Sequence, residues 1–123
     1  MKKKILVDMT CSILHHGHIR LLKKASKLGQ VIVGLTTDDE ILKFKKFSPK
    51  LNFNQRKEIV SSIKYVSKVI KAKFIITEKF LKKNKIDFLV HGNDNKNNVS
   101  KNKLIIFRRT KNISSSILRN KNR

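Results

Sequence analysis

The fold is decided by residues 5–38, which read ILVDMTCSILHHGHIRLLKKASKLGQVIVGLTTD. Two short apolar runs, Ile5-Leu6-Val7 and Val31-Ile32-Val33-Gly34-Leu35, are rich in β-branched residues, as is typical of buried parallel strands. Helical spacing between them predicts an α-helix from about Gly17, ending at Gly29 as its C-cap. The expected inward positions of this helix are Ile19, Leu21, Leu22, Ala25 and Leu28. A strand, a helix and a second strand in this order predict a βαβ unit.

The remainder of the chain continues the alternation of strands and helices. Residues 43–53 are predicted to form a basic loop, and Asn54 is predicted to cap a helix that runs to about Lys64. The inward positions expected on that helix are Ile59, Val60 and Ile63. The later predicted elements are a strand at 66–70, a helix at 78–84 capped by Thr77, a strand at 87–91, a polar loop at 93–103, a strand at 104–107 and a helix at 114–120.

These elements predict a single Rossmann-like α/β domain over residues 1–123. We expect a mostly parallel five-stranded sheet with helices on both faces. In such a sheet the turns that follow the strands lie together at one edge, where ligands bind.

The charge of the chain is strongly positive. Thirty Lys and Arg residues stand against eight Asp and Glu residues, and the formal net charge is +22. Such an excess attracts polyanions, including nucleic acids, anionic membranes and phosphorylated ligands. A compositional bias toward Lys and Asn along the whole chain produces the same excess. The chain has no Trp and one Tyr, and its seven Phe mostly occupy apolar-periodic positions. Nucleic-acid readers usually add stacking aromatics to a basic surface, so no specific nucleic-acid partner is predicted.

The single cysteine and the hydropathy of the chain indicate a compartment. Cys11 is the only cysteine, so no intramolecular disulfide is possible, which suits a reducing environment. No stretch approaches the roughly 18 apolar residues that a membrane span needs. We therefore expect a cytoplasmic protein without a membrane span.

A cluster of histidines, His15-His16-Gly17-His18, lies between the first strand and the first helix. We call these four residues the histidine turn. A helix start offers unpaired N–H groups and a positive dipole end, which suit a phosphate, and Gly17 leaves room for it. His15 and His18 are three residues apart and can face one anion, with the Thr10 hydroxyl in the same turn. His16 is expected at the surface.

Two other interpretations of the histidine turn remain open. Histidines at this spacing can ligate zinc, although no third Cys or acidic ligand follows at a suitable distance. The pair can also be purely structural.

A second motif, Arg109-Thr110-Lys111-Asn112-Ile113-Ser114-Ser115-Ser116, separates the last predicted strand from the last helix. It supplies a cation, several hydroxyls and another helix N-terminus at the same edge. On its own, the motif is also consistent with a Ser N-cap beside a solvated arginine. Together with the histidine turn, it predicts that two helix starts clamp one triphosphate.

The paired motifs resemble the cytidylyltransferase family, which carries HxGH after its first strand and RTxxIS(T/S) before its last helix. The similarity covers nearly the whole chain and includes both glycerol-phosphate enzymes and phosphonate-pathway domains. The resemblance implies that an acceptor phosphate or phosphonate attacks the α-phosphorus of CTP, with Mg²⁺ present, and displaces pyrophosphate. No metal ligands are predicted in the protein itself. A homodimer with a contact at Lys64-Tyr65-Val66 is also implied.

The resemblance also implies roles for individual residues. His15 and His18 would contact the α-phosphate. Lys46 or Lys45 would neutralise charge on the transition state or on the acceptor. Arg109 would bind the β- and γ-phosphates. The remaining nucleotide-binding positions are Thr10, Cys11, Gly17, Gly92, Asp94, Thr110, Ile113, Ser114 and Ser115. The family's GDDW run reads Gly92-Asn93-Asp94-Asn95 here, and an Asp of the first turn is replaced by Ser12.

Two alternative functions stay open at this stage. Adenylyltransferases share the HxGH motif, although the RTxxIS form favours CTP. A basic nucleic-acid-binding module would explain the charge without catalysis.

Overall fold

Within the described part of the chain, five strands form one parallel sheet. The computed structural model describes residues 2–11, 14–91 and 99–106. The strands are β1 (Lys4–Met9), β2 (Gln30–Thr36), β3 (Lys68–Ala72), β4 (Phe88–His91) and β5 (Leu104–Ile106). Their order across the sheet is β3-β2-β1-β4-β5, and every neighbouring pair is parallel. The predicted Rossmann-like α/β sheet is confirmed.

The helices of this part of the chain connect consecutive strands. They are α1 (His16–Ser26), α2 (Asp38–Lys45), α3 (Phe53–Ser61) and α4 (Glu78–Lys83), and a 3₁₀ turn at Lys101–Lys103 precedes β5. None of the helices in the described ranges is long and apolar enough to cross a bilayer.

Alternating side chains of the strands build a core on each face of the sheet. Ile5 and Val7 of β1 join one cluster with Leu22 of α1 and Val60 of α3. Leu6 points to the opposite face and joins a cluster that includes Leu81 of α4. Because helices cover both clusters, the sheet is buried on both faces, as its near-continuous apolar strands require.

The order of the strands places a switch point between β1 and β4. The chain moves outward from β1 through β2 to β3, then crosses to the other side of β1 to form β4 and β5. Ligands of such sheets bind outside the carboxyl ends of the strands at this point. The histidine turn follows the carboxyl end of β1 and so lies at this edge.

Two predictions about the end of α1 are wrong. The C-cap is Lys27, in a right-handed conformation, and Gly29 does not have a positive φ. Gly29 is instead packed against backbone, since a Cβ there would lie 2.2 Å from the carbonyl oxygen of Lys3. Leu28 was predicted to face inward, but it follows the end of the helix and is 44% exposed.

The predicted loop at 43–53 is wrong at both ends, because α2 and α3 extend into it. Lys43 and Lys45 lie in the last turn of α2, while Asp38, Asp39 and Glu40 form its first turn. This charge arrangement complements the helix dipole, and the buried Ile41 anchors the helix to the core. Lys46 ends the helix in a left-handed conformation with φ 63°.

The predicted bounds of α3 and β3 are displaced by a few residues. Asn52, not Asn54, caps α3, because its side chain accepts the N–H of Gln55 while the Gln55 side chain accepts the N–H of Asn52. The helix ends at Ser61 rather than near Lys64, and Ile59 is 41% exposed rather than inward. The strand predicted at 66–70 is observed two residues later. The helix predicted at 114–120 lies outside the described residues.

Candidate functional site

The histidine turn forms the start of α1. His15 is the N-cap, and its Nδ1 accepts the backbone N–H of Gly17 at 3.0 Å. In turn, Nδ1 of His18 accepts the backbone N–H of His15 at 3.1 Å. This is a reciprocal cap of the kind that Ser and Glu usually form, built here from two imidazoles. Their ring centroids are 4.0 Å apart.

The reciprocal cap determines where each imidazole carries its proton. A nitrogen that accepts an N–H bond has no proton, so the neutral rings of His15 and His18 are protonated at Nε2. Each ring therefore retains one N–H donor that the cap does not use. The cap places two such donors in one cluster at the positive end of α1.

Burial keeps both imidazoles neutral. It lowers the pKa of His18 to about 4, with a smaller contribution from the charge that His15 would carry. The pKa of His15 is also lowered, first by burial and then by neighbouring His16. At neutral pH the turn therefore offers neutral N–H donors rather than fixed positive charges. His16 is exposed, as predicted.

The end of β1 forms the second part of the site. Cys11 is buried with φ 51°, a left-handed conformation that is uncommon outside glycine. Its thiol donates to Sδ of Met9, and burial raises the pKa of the thiol to about 12 against the opposing charge of Arg56. The thiol is therefore protonated and unreactive. Any contact of Cys11 with a nucleotide would come from its backbone.

The structure adds a residue to this edge that the sequence interpretation missed. Arg56 of α3 is fully buried, with a side-chain exposure of 0%. Its Nη1 donates to the carbonyl oxygens of Thr10 at 2.7 Å and Thr36 at 2.8 Å. Its Nε donates to the carbonyl of Leu51 at 3.1 Å, and its Nη2 pairs with Oδ1 of Asp38 at 2.5 Å. We call Arg56 and these four partners the arginine junction.

Further hydrogen bonds join the strand ends around the arginine junction. The Thr36 hydroxyl donates to the carbonyl of Met9, which links β2 to β1. The backbone N–H of Thr37 donates to the carbonyl of Ala72, which links β2 to β3. Oδ2 of Asp38 accepts the N–H of Phe53 at the start of α3. The carboxyl edge of these three strands is thus hydrogen-bonded across its width.

The predicted lysines lie beyond the end of β2. Lys45 ends α2, and its Nζ lies 5.5 Å from the ring centroid of Phe74, which follows β3. Phe74 stacks on Phe44 at 4.8 Å between centroids. Lys46 follows in its left-handed conformation. Both lysines thus lie at the end of α2, a few residues before Leu51 of the arginine junction.

The described residues bring together only part of the predicted site. Thr10, Cys11, His15, Gly17 and His18 lie in the connection between β1 and the start of α1. Lys45 and Lys46 lie at the end of α2. The remaining predicted positions lie outside the described residues, namely Gly92, Asp94, Arg109, Thr110, Ile113, Ser114 and Ser115. The predicted meeting of the two motifs therefore stays a prediction.

The chemistry of the described side chains does not fit a protein-held metal ion. Over residues 2–11, 14–91 and 99–106, no three His, Cys, Asp or Glu residues are grouped as metal ligands. In the histidine turn, both Nδ1 atoms are already occupied by backbone N–H groups. These contacts use the acceptor sites that a zinc ion would require at those atoms.

A family comparison matches most of the chain. Residues 10–121 match the family described as cytidylyltransferase-like. The match includes the histidine turn, the arginine junction and the second motif.

Individual proteins are similar over three quarters of the chain. An ethanolamine-phosphate cytidylyltransferase of Arabidopsis thaliana is 35% identical over 97 residues, which cover 74% of this chain and 23% of that protein. A glycerol-3-phosphate cytidylyltransferase of Staphylococcus aureus (strain NCTC 8325 / PS 47) is 32% identical, covering 75% of this chain and 70% of that protein. The chain thus spans less than a quarter of the Arabidopsis relative and about two thirds of the staphylococcal one.

A solved structure shares the fold. The lipopolysaccharide core biosynthesis protein from Thermoplasma volcanium GSS1 superposes with a TM-score of 0.71 at 23% identity, covering 92% of this chain and all of that chain. At this identity the similarity concerns the fold alone.

Proposed function

The chain belongs to the cytidylyltransferase-like family, and we propose that it transfers CMP from CTP to a small phosphorylated alcohol, releasing pyrophosphate. The names of the similar proteins support CTP as donor and a phosphorylated alcohol as acceptor. The observation that carries the proposal is the reciprocal histidine cap, with two unused Nε2–H donors at the start of α1.

The proposed step is a single displacement at phosphorus. An anionic oxygen of the acceptor's phosphate forms a bond to the α-phosphorus of CTP. The bond from that phosphorus to the bridging oxygen breaks, and pyrophosphate leaves with the electron pair. Because the attacking oxygen is already anionic, no general base is needed, and positioning and charge stabilisation supply the catalysis.

The described residues can supply this stabilisation in two places. We propose that His15 and His18 donate from Nε2 to the oxygens of the α-phosphate, where negative charge develops. The positive end of α1 adds to their effect, and the chain at Thr10, Cys11 and Gly17 provides backbone for the triphosphate. We propose that Lys45 or Lys46 binds the acceptor's phosphate.

The remaining roles fall to positions outside the described residues. We propose that Arg109, Thr110, Ile113, Ser114 and Ser115 bind the β- and γ-phosphates. Gly92 and Asp94 are proposed to contact the base or the acceptor. These assignments rest on the matched motifs alone.

Magnesium enters the proposal as an ion carried by the nucleotide. The described side chains form no group of three ligands, and Mg²⁺ commonly binds through substrate phosphates with few protein ligands. When bound, it would neutralise charge on the triphosphate and its pyrophosphate product.

We also propose a homodimer that uses Lys64, Tyr65 and Val66. Tyr65 and Val66 pack against the core cluster of α1 and α3 while remaining half-buried. Sedimentation of the wild type and of Tyr65→Lys checks this, with a shift to monomer expected in the variant. An unchanged sedimentation coefficient, or a monomeric wild type, contradicts it.

The proposed reaction is tested by measuring pyrophosphate release with each of the four nucleoside triphosphates and a panel of acceptors. The panel contains glycerol 3-phosphate, phosphoethanolamine, phosphocholine and a hydroxyalkyl or aminoalkyl phosphonate. We expect release with CTP and a phosphorylated alcohol, together with a CDP-linked product by mass spectrometry. A preference for ATP indicates an adenylyltransferase instead.

Absence of turnover with every pair contradicts the proposal. Steeply salt-dependent binding to DNA or RNA that persists in His18→Ala would then favour a nucleic-acid-binding module. A release of pyrophosphate that persists in His18→Ala at the wild-type rate contradicts the assigned role of the histidine turn.

A further inference from the structure

We infer that Arg56 is a positioning residue that holds the nucleotide-binding turn and the lysine segment in one fixed arrangement. The lysine segment is residues 43–51, which contain Lys45 and Lys46. The inference rests on the proposed function, because it assigns the two segments to the two substrates. Arg56 itself is buried and is not proposed to touch either substrate.

The donors of Arg56 are distributed over both sides of the site. On the nucleotide side, Nη1 holds the carbonyl of Thr10, at the end of β1 and five positions before His15. On the acceptor side, Nη2 holds Asp38 at the start of α2, and Nε holds Leu51 after the lysines. One guanidinium therefore contacts both ends of the stretch that carries Lys45 and Lys46, and also the turn that leads to the histidines.

The shape of the guanidinium is what makes this arrangement possible. Its N–H groups point in fixed directions within one plane, and four of its five donors are used by the four partners. A lysine has a single nitrogen at this position, so it cannot reach Thr10, Leu51 and Asp38 together. Water cannot replace the lost contacts easily, since the side chain is 0% exposed.

The consequence concerns both substrates at once. Replacing Lys45 affects the proposed acceptor site alone, and replacing His18 affects the proposed nucleotide site alone. Loss of the Arg56 contacts frees both segments. Since small misplacements of reacting groups reduce rates strongly, the effect extends to turnover.

The experiment compares Arg56→Lys with Val60→Ala in steady-state kinetics, with KM measured separately for CTP and for the acceptor. Val60 lies one helical turn after Arg56, is buried in the core and contacts neither segment through hydrogen bonds, so it controls for lost stability. We expect Arg56→Lys to raise both KM values about fivefold or more and to lower kcat about 100-fold. Val60→Ala should leave both KM values within about twofold of the wild type.

A change in only one KM, or equal behaviour of the two variants, overturns the inference. If Arg56→Lys does not fold, Asp38→Asn replaces it, because the carbonyl contacts of Arg56 persist and the ionic contact to α2 is lost. That variant should raise the acceptor KM more than the CTP KM. An unchanged acceptor KM overturns the inference as well.

A wild type that turns over no substrate refutes the proposed function but leaves the inference open to a direct test. Amide hydrogen exchange should then be faster in Arg56→Lys, or in Asp38→Asn, than in Val60→Ala. The increase is expected in segments 10–18 and 43–51 for Arg56→Lys, and mainly in 43–51 for Asp38→Asn. An increase confined elsewhere contradicts the positioning role.

Discussion

The histidine turn and the arginine junction lie at the same edge of the sheet but are built from opposite kinds of contact. The histidine turn is local, because its hydrogen bonds join residues two and three positions apart. The arginine junction is non-local, because Arg56 reaches Thr10 across 46 positions and Thr36 across 20. The first leaves two Nε2–H donors at the start of α1 that the cap does not use, and the second holds backbone segments from within the core.

This difference separates the chemistry of the site from its geometry. The histidine turn determines which donors are available and in which tautomer, and it can form in any helix start with this sequence. The arginine junction determines where the adjoining segments stand, and it forms only when β1, β2, α2 and α3 are packed together. Variants of the histidine turn should therefore lower activity far more than stability, whereas variants of the arginine junction should lower both.

The largest effect is expected from His18→Ala, on activity. The variant loses one of the two donors proposed for the α-phosphate, and we expect the rate of CMP transfer to fall about 10³-fold. The loss of one cap contact should lower the free energy of unfolding by only about 1 kcal/mol. Pyrophosphate release and urea unfolding measure the two effects. His16→Ala is the control, because His16 is exposed in the same turn, and an equal loss in that variant refutes the assignment.

The next largest effect is expected from Arg56→Met, on stability. The change removes a buried cation and leaves the carbonyls of Thr10, Thr36 and Leu51 without their donor. We expect the free energy of unfolding to fall by about 3 kcal/mol, measured by urea titration. Lys57→Met, at an exposed position of the same helix, should change it by less than about 0.5 kcal/mol. Similar values for the two variants contradict the structural role of the junction.

A smaller effect is expected from pH, through the imidazole of His18. The pKa of His18 falls from 6.5 to about 4 on folding, so between these values the unfolded chain binds a proton that the folded chain excludes. Its contribution to stability is therefore fully present above about pH 6.5 and is lost as the pH falls toward 4. When the pH is lowered from 7 to 4.5, the free energy of unfolding of the wild type should fall by about 2 kcal/mol more than that of His18→Ala, measured by urea titration at each pH. Equal losses in both proteins contradict a neutral buried imidazole.

The smallest effect is expected from Asn52→Ala. Asn52 and Gln55 form a conventional reciprocal cap, in which each side chain accepts the backbone N–H of the other residue. The variant should lose about 1 kcal/mol of unfolding free energy and retain its activity. Thermal melts measure the change in stability, and the turnover assay measures the activity. A drop in turnover comparable to that of His18→Ala would show that the comparison between caps is mistaken.

The contrast between local and non-local contacts also explains which features the sequence predicted. The strands follow from apolar runs such as Val31–Leu35, because a parallel sheet covered on both faces needs them. The histidine turn follows from four adjacent residues. Helix α2 was missed because Lys43 and Lys45 of its last turn were assigned to a basic loop, although the acidic residues 38–40 favour a helix start.

Arg56 could not be assigned from the same pattern. It is one of 30 basic residues, and its four partners are distant in sequence or unremarkable in type. The available signal was its spacing, because Arg56 stands four positions before the buried Val60 and so shares the inward face of α3. An arginine on an inward face needs buried acceptors, and only the packed structure identifies them.

NMR of the nitrogen-15-labelled imidazoles reads the tautomers of His15 and His18. At pH 7 we expect His15 and His18 to be neutral, with a bare Nδ1 and a protonated Nε2, because of their bonds to backbone N–H groups. Addition of CTP should shift the Nε2 resonances of both rings and leave His16 nearly unchanged. Imidazoles that are charged or protonated at Nδ1 would contradict the reciprocal cap, and resonances that do not respond to CTP would contradict its proposed role in binding the nucleotide.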